Sequence, residues 1–265
     1  RLGLTRAVAA GRGLPRLRRA WRPPASGIAP ALGERRARVA FLNGCVMPVM
    51  FGASMEASVH LLQLAGCEVW FPQGQTCCGA LFAHNGDLQE SRRLRDVNAR
   101  AFGMEDFDHL VVNSAGCGSH LKDFYPNLGG RVRDLSEFLL EIGLPEPARS
   151  VEMKVTYQDA CHLAHAQGIK KQPRDLIRAL PGVEFVEMRH PDICCGSAGI
   201  YNTLEPAMAA RILDEKLEDL LETRAEVVVT GNPGCQLQLE AGLRKRGADM
   251  QVWHLAELLV RAYAP

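Results

Sequence analysis

Eight of the nine cysteines fall into two sets with nearly the same spacing, and no other feature narrows the fold as much. Cys45, Cys77, Cys78 and Cys117 form the first set. Cys161, Cys194, Cys195 and Cys235 form the second, displaced by 116, 117, 117 and 118 positions, and a glycine follows each doublet at Gly79 and Gly196. A near-constant displacement over most of a chain marks an internal repeat. The match extends past cysteine. Asn113-Ser114-Ala115-Gly116-Cys117 parallels Gly231-Asn232-Pro233-Gly234-Cys235, and Val132-Arg133-Asp134-Leu135-Ser136-Glu137 parallels Val252-Trp253-His254-Leu255-Ala256-Glu257. Cys67 has no counterpart. Two homologous halves follow, meeting near 143–150, where Pro145 and Pro147 interrupt the helical pattern of 135–142. The expected division is a basic N-terminal linker over 1–36, a first cysteine-rich domain over 37–146 and a second over 147–265.

Each half alternates short apolar runs with longer amphipathic stretches. Strands are expected at 39–42, 68–71 and 109–113, with helices at 53–64 and 88–102 between them. The second half repeats this, with strands at 154–157, 183–188 and 226–230 and helices at 174–180 and 205–222. Such alternation predicts an α/β fold with a small parallel sheet and flanking helices in each half. Every cysteine of the two sets then lies just beyond the C-terminal end of a strand. Parallel strands end on one edge, where open sheets bind ligands, so four thiols per half can meet without a local Cys-x-x-Cys motif.

Soft thiolates in an all-sulfur set select iron–sulfur clusters or zinc. Structural zinc sites usually use two close Cys-x2-Cys knuckles, whereas here three loops supply a single cysteine, a doublet and a single cysteine. Adjacent cysteines normally point apart. Using both on one centre needs a sharp turn, which Gly79 and Gly196 permit, and a wide centre, which a multi-iron cluster supplies. Zinc stays open as the alternative in the first half.

A single Cys, then Cys-Cys-Gly, then another Cys, all duplicated, resembles the cysteine-rich CCG domain of heterodisulfide reductase and of dehydrogenase iron–sulfur subunits. The iron–sulfur subunit of glycolate oxidase is the nearer resemblance. It is carried by Gln75-Thr76-Cys77-Cys78-Gly79-Ala80, Ala115-Gly116-Cys117-Gly118, Asp159-Ala160-Cys161-His162-Leu163-Ala164-His165 and Cys194-Cys195-Gly196-Ser197-Ala198-Gly199-Ile200-Tyr201, within 38–263. The resemblance implies that the eight cysteines bind one or two 4Fe-4S clusters. It further implies that the chain passes electrons from flavin-containing dehydrogenase subunits, which oxidise glycolate to glyoxylate, to an acceptor. The cysteine-rich subunit of heterodisulfide reductase closes each set with Cys-x-x-Cys; here His120 and Gln238 stand at those positions, leaving four cysteines per half. Glycolate oxidase iron–sulfur subunits also join this module to a ferredoxin-like domain. No Cys-x2-Cys-x2-Cys run occurs in this sequence, so a separate domain or protein is expected to supply it. The implied location is cytoplasmic, peripheral on the inner face of the plasma membrane. A heterodisulfide-reductase-like thiol or disulfide reductase subunit and a structural zinc scaffold are the alternatives.

Composition excludes other classes. Nine cysteines, an odd number, spread through long helical and strand patterns do not describe a secreted disulfide framework. Residues 1–40 hold ten arginines against Glu34, while the remainder is acidic, so no nucleic-acid partner is expected. The Arg-rich start, with a short helix at 14–21, reads as a linker able to orient the module on partners or a membrane surface, and Arg1 in place of Met reads as the start of a fragment or processed form. Gly196-Ser197-Ala198-Gly199 lacks the lysine of a phosphate loop. No Ser-His-Asp order or dinucleotide fingerprint stands out, so no catalytic residue is expected and the chain is expected to be inactive alone. Cys67 reads as a buried thiol, His120 as a helix-face residue, His162 and His165 as neighbours able to tune a cluster, and Asp134 and Glu137 as helix N-terminal acids.

Overall fold

Valine-rich runs punctuated by glycine build two sheets in the computed structural model, which describes residues 20–263. In the first half β1 is Ile28–Ala29, β2 Ala37–Phe41, β3 Cys67–Trp70, β4 His109–Val112 and β5 Val132–Asp134. Their order is β1-β3-β2-β4-β5, parallel throughout except for β1, which pairs antiparallel with β3. In the second half β6 is Met153–Tyr157, β7 Val183–Phe185, β8 Val227–Thr230 and β9 Gln251–His254. These form an all-parallel sheet of order β7-β6-β8-β9. The order β3-β2-β4-β5 is thus repeated as β7-β6-β8-β9. Val227–Thr230 is buried at every position, as expected of a central strand covered on both faces.

The helices follow the same duplication. Leu88–Phe102 follows the first doublet, capped by Asp87 through the Glu90 backbone N–H at 3.0 Å, and Pro206–Glu222 follows the second. Ala115–Phe124 and Pro233–Arg246 carry the last cysteine of each set as their third residue. Leu135–Ile142 and Leu255–Leu259 start at matched N-caps. Asp134 completes a capping box with Glu137, and His254 Nδ1 accepts from the Ala256 N–H at 3.1 Å.

One apolar core joins the halves. It contains Phe41, Met55, Leu61, Val69 and Leu139 from the first and Val155, Tyr157, Ile177, Val229 and Leu258 from the second. Smaller cores fill the remaining side of each sheet. At the strand ends, Ala115 donates its N–H to Gly231 O at 3.0 Å and Gly116 donates to Asn232 Oδ1 at 3.1 Å. His254 Nε2 contacts Asn113 O at 2.8 Å, so the two cysteine-bearing edges are held against each other largely through backbone groups.

Most expected elements fall within about two residues of those observed. Strand 183–188 is shorter, ending at Phe185. The Val186 N–H still reaches Val155 O, but the Arg189 and His190 N–H groups then donate to the Asp219 carboxylate at 2.9 Å each, drawing the chain off the sheet toward Pro206–Glu222. Helix 174–180 is shifted to Lys171–Arg178. β5 and β9 were not expected as strands, and β1 adds an antiparallel edge. Ahead of β1, Trp21 packs on Phe71 with ring centroids 5.4 Å apart. The expected helix at 14–21 lies almost wholly outside the described residues.

Candidate metal centre

Topology brings the two sets together. Cys45, Cys77-Cys78 and Cys117 follow β2, β3 and β4, and Cys161, Cys194-Cys195 and Cys235 follow β6, β7 and β8. All eight line one cavity of about 340 Å³ at the facing sheet edges. The doublet of the second half sits farther from its strand than the sequence suggests, because β7 ends early.

In the first set Cys45 Sγ lies 3.4 Å from Cys77 Sγ, and Cys78 Sγ lies 3.1 Å from Cys117 Sγ. Every cysteine among the described residues is a free thiol. The thiols share protons in the same pattern in both halves. Hydrogen bonds from Cys45, then Cys78, drive Cys77 acidic, and Cys161, then Cys195, do the same to Cys194. In return Cys77 pushes Cys45 up and Cys194 pushes Cys161 up, while Cys78 is pushed up by Cys117 and then Cys77, and Cys195 by Cys194 and then Cys235. Cys117 and Cys235 are held down by Cys78 and Cys195 respectively, and both sit in the first turn of a helix, where amide N–H groups favour thiolate. Asn232 Nδ2 adds a contact to Cys235 Sγ at 3.5 Å. Four cysteine sulfurs in pairwise contact, some favoured as thiolate, form a soft set whose chemistry fits an iron–sulfur group. No three His, Cys, Asp or Glu side chains among the described residues are grouped as a single metal ion would require. Held together, the sets could carry clusters through Cys45, Cys77, Cys78 and Cys117 and through Cys161, Cys194, Cys195 and Cys235.

The doublets turn as the glycines permit. Gly79 and Gly196 have φ of +88° and +86°. A Cβ on Gly196 would lie 2.5 Å from Ala209 O, and one on Gly79 would meet Ser91 at 3.1–3.3 Å. Ser91 and Ala209 occupy matched places in the helices that follow, so both doublets are pressed onto a helix backbone.

Around the sulfurs lie residues that motif reading passed over. Asn98, fully buried, accepts from the Thr76 N–H at 2.8 Å and donates to Cys77 O at 2.9 Å, while Tyr125 donates to Cys78 O at 2.9 Å. Lys216, also fully buried, donates to His190 O at 2.7 Å and Pro191 O at 3.1 Å. The available signal was a polar residue on the inner stripe of each amphipathic helix. His120 is buried against Ser91 Oγ at 3.2 Å and stacks on Phe124, and burial lowers its pKa. His162 lies 3.5 Å from Cys161 Sγ and stacks on His84 across the halves with centroids 5.0 Å apart. Gln238 accepts from Asn202 Nδ2 at 2.8 Å. Cys67 is buried away from both sets, its thiol pushed up to about 12 by burial. His165 is exposed, and it does not line the cavity.

The family model described as "Cysteine-rich domain" (CCG) matches residues 39–122 and 155–240. The chain is 38% identical over 250 residues to a Bacillus subtilis protein described as "Probable glycolate oxidase iron-sulfur subunit", covering 88% of this chain and 56% of the relative. It is 36% identical over 242 residues to a subunit of fumarate reductase (CoM/CoB) from Methanothermobacter marburgensis, covering 90% and 49%. It is 29% identical over 237 residues to lactate utilization protein A of Oceanobacillus iheyensis, covering 84% and 96%. The chain therefore spans about half the length of the first two relatives. No helix among the described residues is long and apolar enough to cross a membrane. The chain belongs to the cysteine-rich CCG domain family, carries two copies in tandem, and falls in the group that includes the iron–sulfur subunits of glycolate oxidase and the lactate utilization proteins.

Proposed function

We propose that this chain is the electron-transfer part of a multi-subunit 2-hydroxy-acid dehydrogenase, with glycolate as substrate, and that Cys45, Cys77, Cys78, Cys117, Cys161, Cys194, Cys195 and Cys235 bind its clusters. The observation that carries this reading is the convergence of two matched four-thiol sets on one cavity. Bound clusters supply single-electron transfer, whereas oxidising a 2-hydroxy acid is two-electron chemistry that needs a flavin or nicotinamide. The chain's own residues position and tune: the glycine turns aim both members of each doublet, and the helix starts favour thiolates. Flavin-containing subunits supply the electrons, and a ferredoxin-like domain or protein completes the relay. The two halves act as domains over 37–146 and 147–265, working in the cytoplasm and peripheral to the inner face of the plasma membrane.

The purified chain should not reduce dye with glycolate or lactate, and adding the flavoprotein and ferredoxin-like region should restore electron flow. Turnover by the chain alone would overturn this reading. The cavity shared by both sets also supports a second reading, thiol or disulfide reduction between the halves. Dye-linked turnover with a small disulfide and no 2-hydroxy acid would favour it.

A further inference from the structure

The repeat makes the two halves chemically alike at the sulfurs and unlike one layer out. Asn98 and Lys216 stand at the same place, each the eleventh residue of the helix that follows its doublet. Both are fully buried, and both donate to backbone carbonyls of the segment that carries or leads into the cysteine pair. One is neutral and the other is an ammonium.

The Lys216 charge has no ion-pair partner within 4 Å among the described residues; its bonds are to carbonyl oxygens. None of the carboxylates in its surroundings bonds to it. Asp159 is clamped by Arg174 at 2.9 and 3.0 Å, Asp219 accepts two backbone N–H groups, and Asp192 pairs with Lys170 at 3.5 Å. A buried charge without a partner is costly unless an anion nearby offsets it. Its two bonds fix the His190-Pro191 segment that runs directly into Cys194-Cys195, so the charge stands beside the second cysteine set. Among the described residues, the matching layer of the first set offers the uncharged donors Asn98 and Tyr125, with His120 beside them, whose pKa burial lowers.

Resting on the reading that both sets hold iron–sulfur clusters, we infer that Lys216 is a fixed electrostatic bias that makes the second half the easier cluster to reduce, so that electrons run from the first half to the second. Reduction adds negative charge, which the buried ammonium stabilises. The same position in the first half offers only an amide dipole.

The test measures midpoint potentials by spectroscopically monitored redox titration of the anaerobically purified full chain. Cys45→Ser/Cys77→Ser isolates the second-half signal, and Cys161→Ser/Cys194→Ser isolates the first. The second-half reduction equilibrium should be favoured by tenfold or more over the first, which is about 60 mV at 59 mV per decade for one electron. Lys216→Gln, which keeps a donor but removes the charge, should remove most of that difference at unchanged iron and sulfide content, and Lys216→Arg should retain it. A second-half potential at or below that of the first, or a Lys216→Gln shift under threefold in a loaded protein, overturns the inference. Should Lys216→Gln fail to hold a cluster, the order of the two potentials in the Lys216 proteins decides. A chain without iron and sulfide in either half defeats the underlying reading instead, so the two failures are distinct.

Discussion

Gly196→Ala is the substitution with the most direct structural consequence. The φ of +86° costs an L-residue about 1–2 kcal/mol. The new methyl would also sit 2.5 Å from Ala209 O, a backbone atom of the helix Pro206–Glu222 that cannot swing aside. Overpacking of that kind adds about 1–3 kcal/mol, for roughly 2–5 kcal/mol in all. Two related glycines separate the contributions. Gly74 has φ +80° and open space where a Cβ would stand, with no atom within 4 Å, so Gly74→Ala carries the dihedral cost alone. Gly79→Ala meets Ser91 at 3.1–3.3 Å and should fall between them. The gain from a stiffer unfolded chain is common to all three and cancels. Urea unfolding of the metal-free chain should give destabilisation in the order Gly196→Ala, Gly79→Ala, Gly74→Ala, the first lowering the midpoint by roughly 1 M. Gly196→Ala should also displace Cys195 and lower iron incorporation. Equal midpoints for Gly196→Ala and Gly74→Ala would refute the reasoning.

Serine at Cys161, Cys194, Cys195 or Cys235 should abolish iron binding by the second half and leave the first intact, with the converse for Cys45, Cys77, Cys78 and Cys117; iron and sulfide assays of each variant check this. Cys67→Ser should keep full iron content yet destabilise by about 1–3 kcal/mol, because it places a hydroxyl in an apolar core. Arg174→Ala should cost about 3–5 kcal/mol in chemical denaturation by stranding the buried Asp159 carboxylate, whereas Lys171→Ala, which removes an exposed pair with Asp175, should cost under about 1 kcal/mol. Burial lowers the pKa of His254 to about 4, so the unfolded chain binds the extra proton between about 4 and the ordinary 6.5. Stability from His254 is therefore complete above about pH 6.5 and falls on acidification, by up to about 3 kcal/mol, and His254→Asn should flatten that dependence in urea titrations at several pH values.

The cysteine repeat was legible because the cysteines are tied to strand ends, and strand ends are tied to apolar runs. Val227–Thr230 announces itself as a buried strand, and Cys235 follows it at the start of a helix. β5 and β9 escaped notice for a physical reason. They are three and four residues long, too short for a period, and are held mainly by pairing with β4 and β8. Ile28–Ala29 was hidden in the same way, two residues in a basic stretch whose pairing with β3 depends on the tertiary fold. The early end of β7 rests on Asp219, thirty residues away from Arg189, which no local pattern encodes. In the site, sequence spacing located the sulfurs but not their surroundings. Asn98 and Lys216 become equivalent only when the two helices are aligned on the doublets, and their difference in charge is visible only once both are known to be buried.

Iron and acid-labile sulfide per chain, measured on anaerobically purified protein alongside zinc, test the central claim most directly. Two matched sets of soft thiolates predict a brown protein with iron and sulfide in equal amounts, lost from one half at a time in the paired cysteine variants. A colourless protein carrying zinc without sulfide would contradict it.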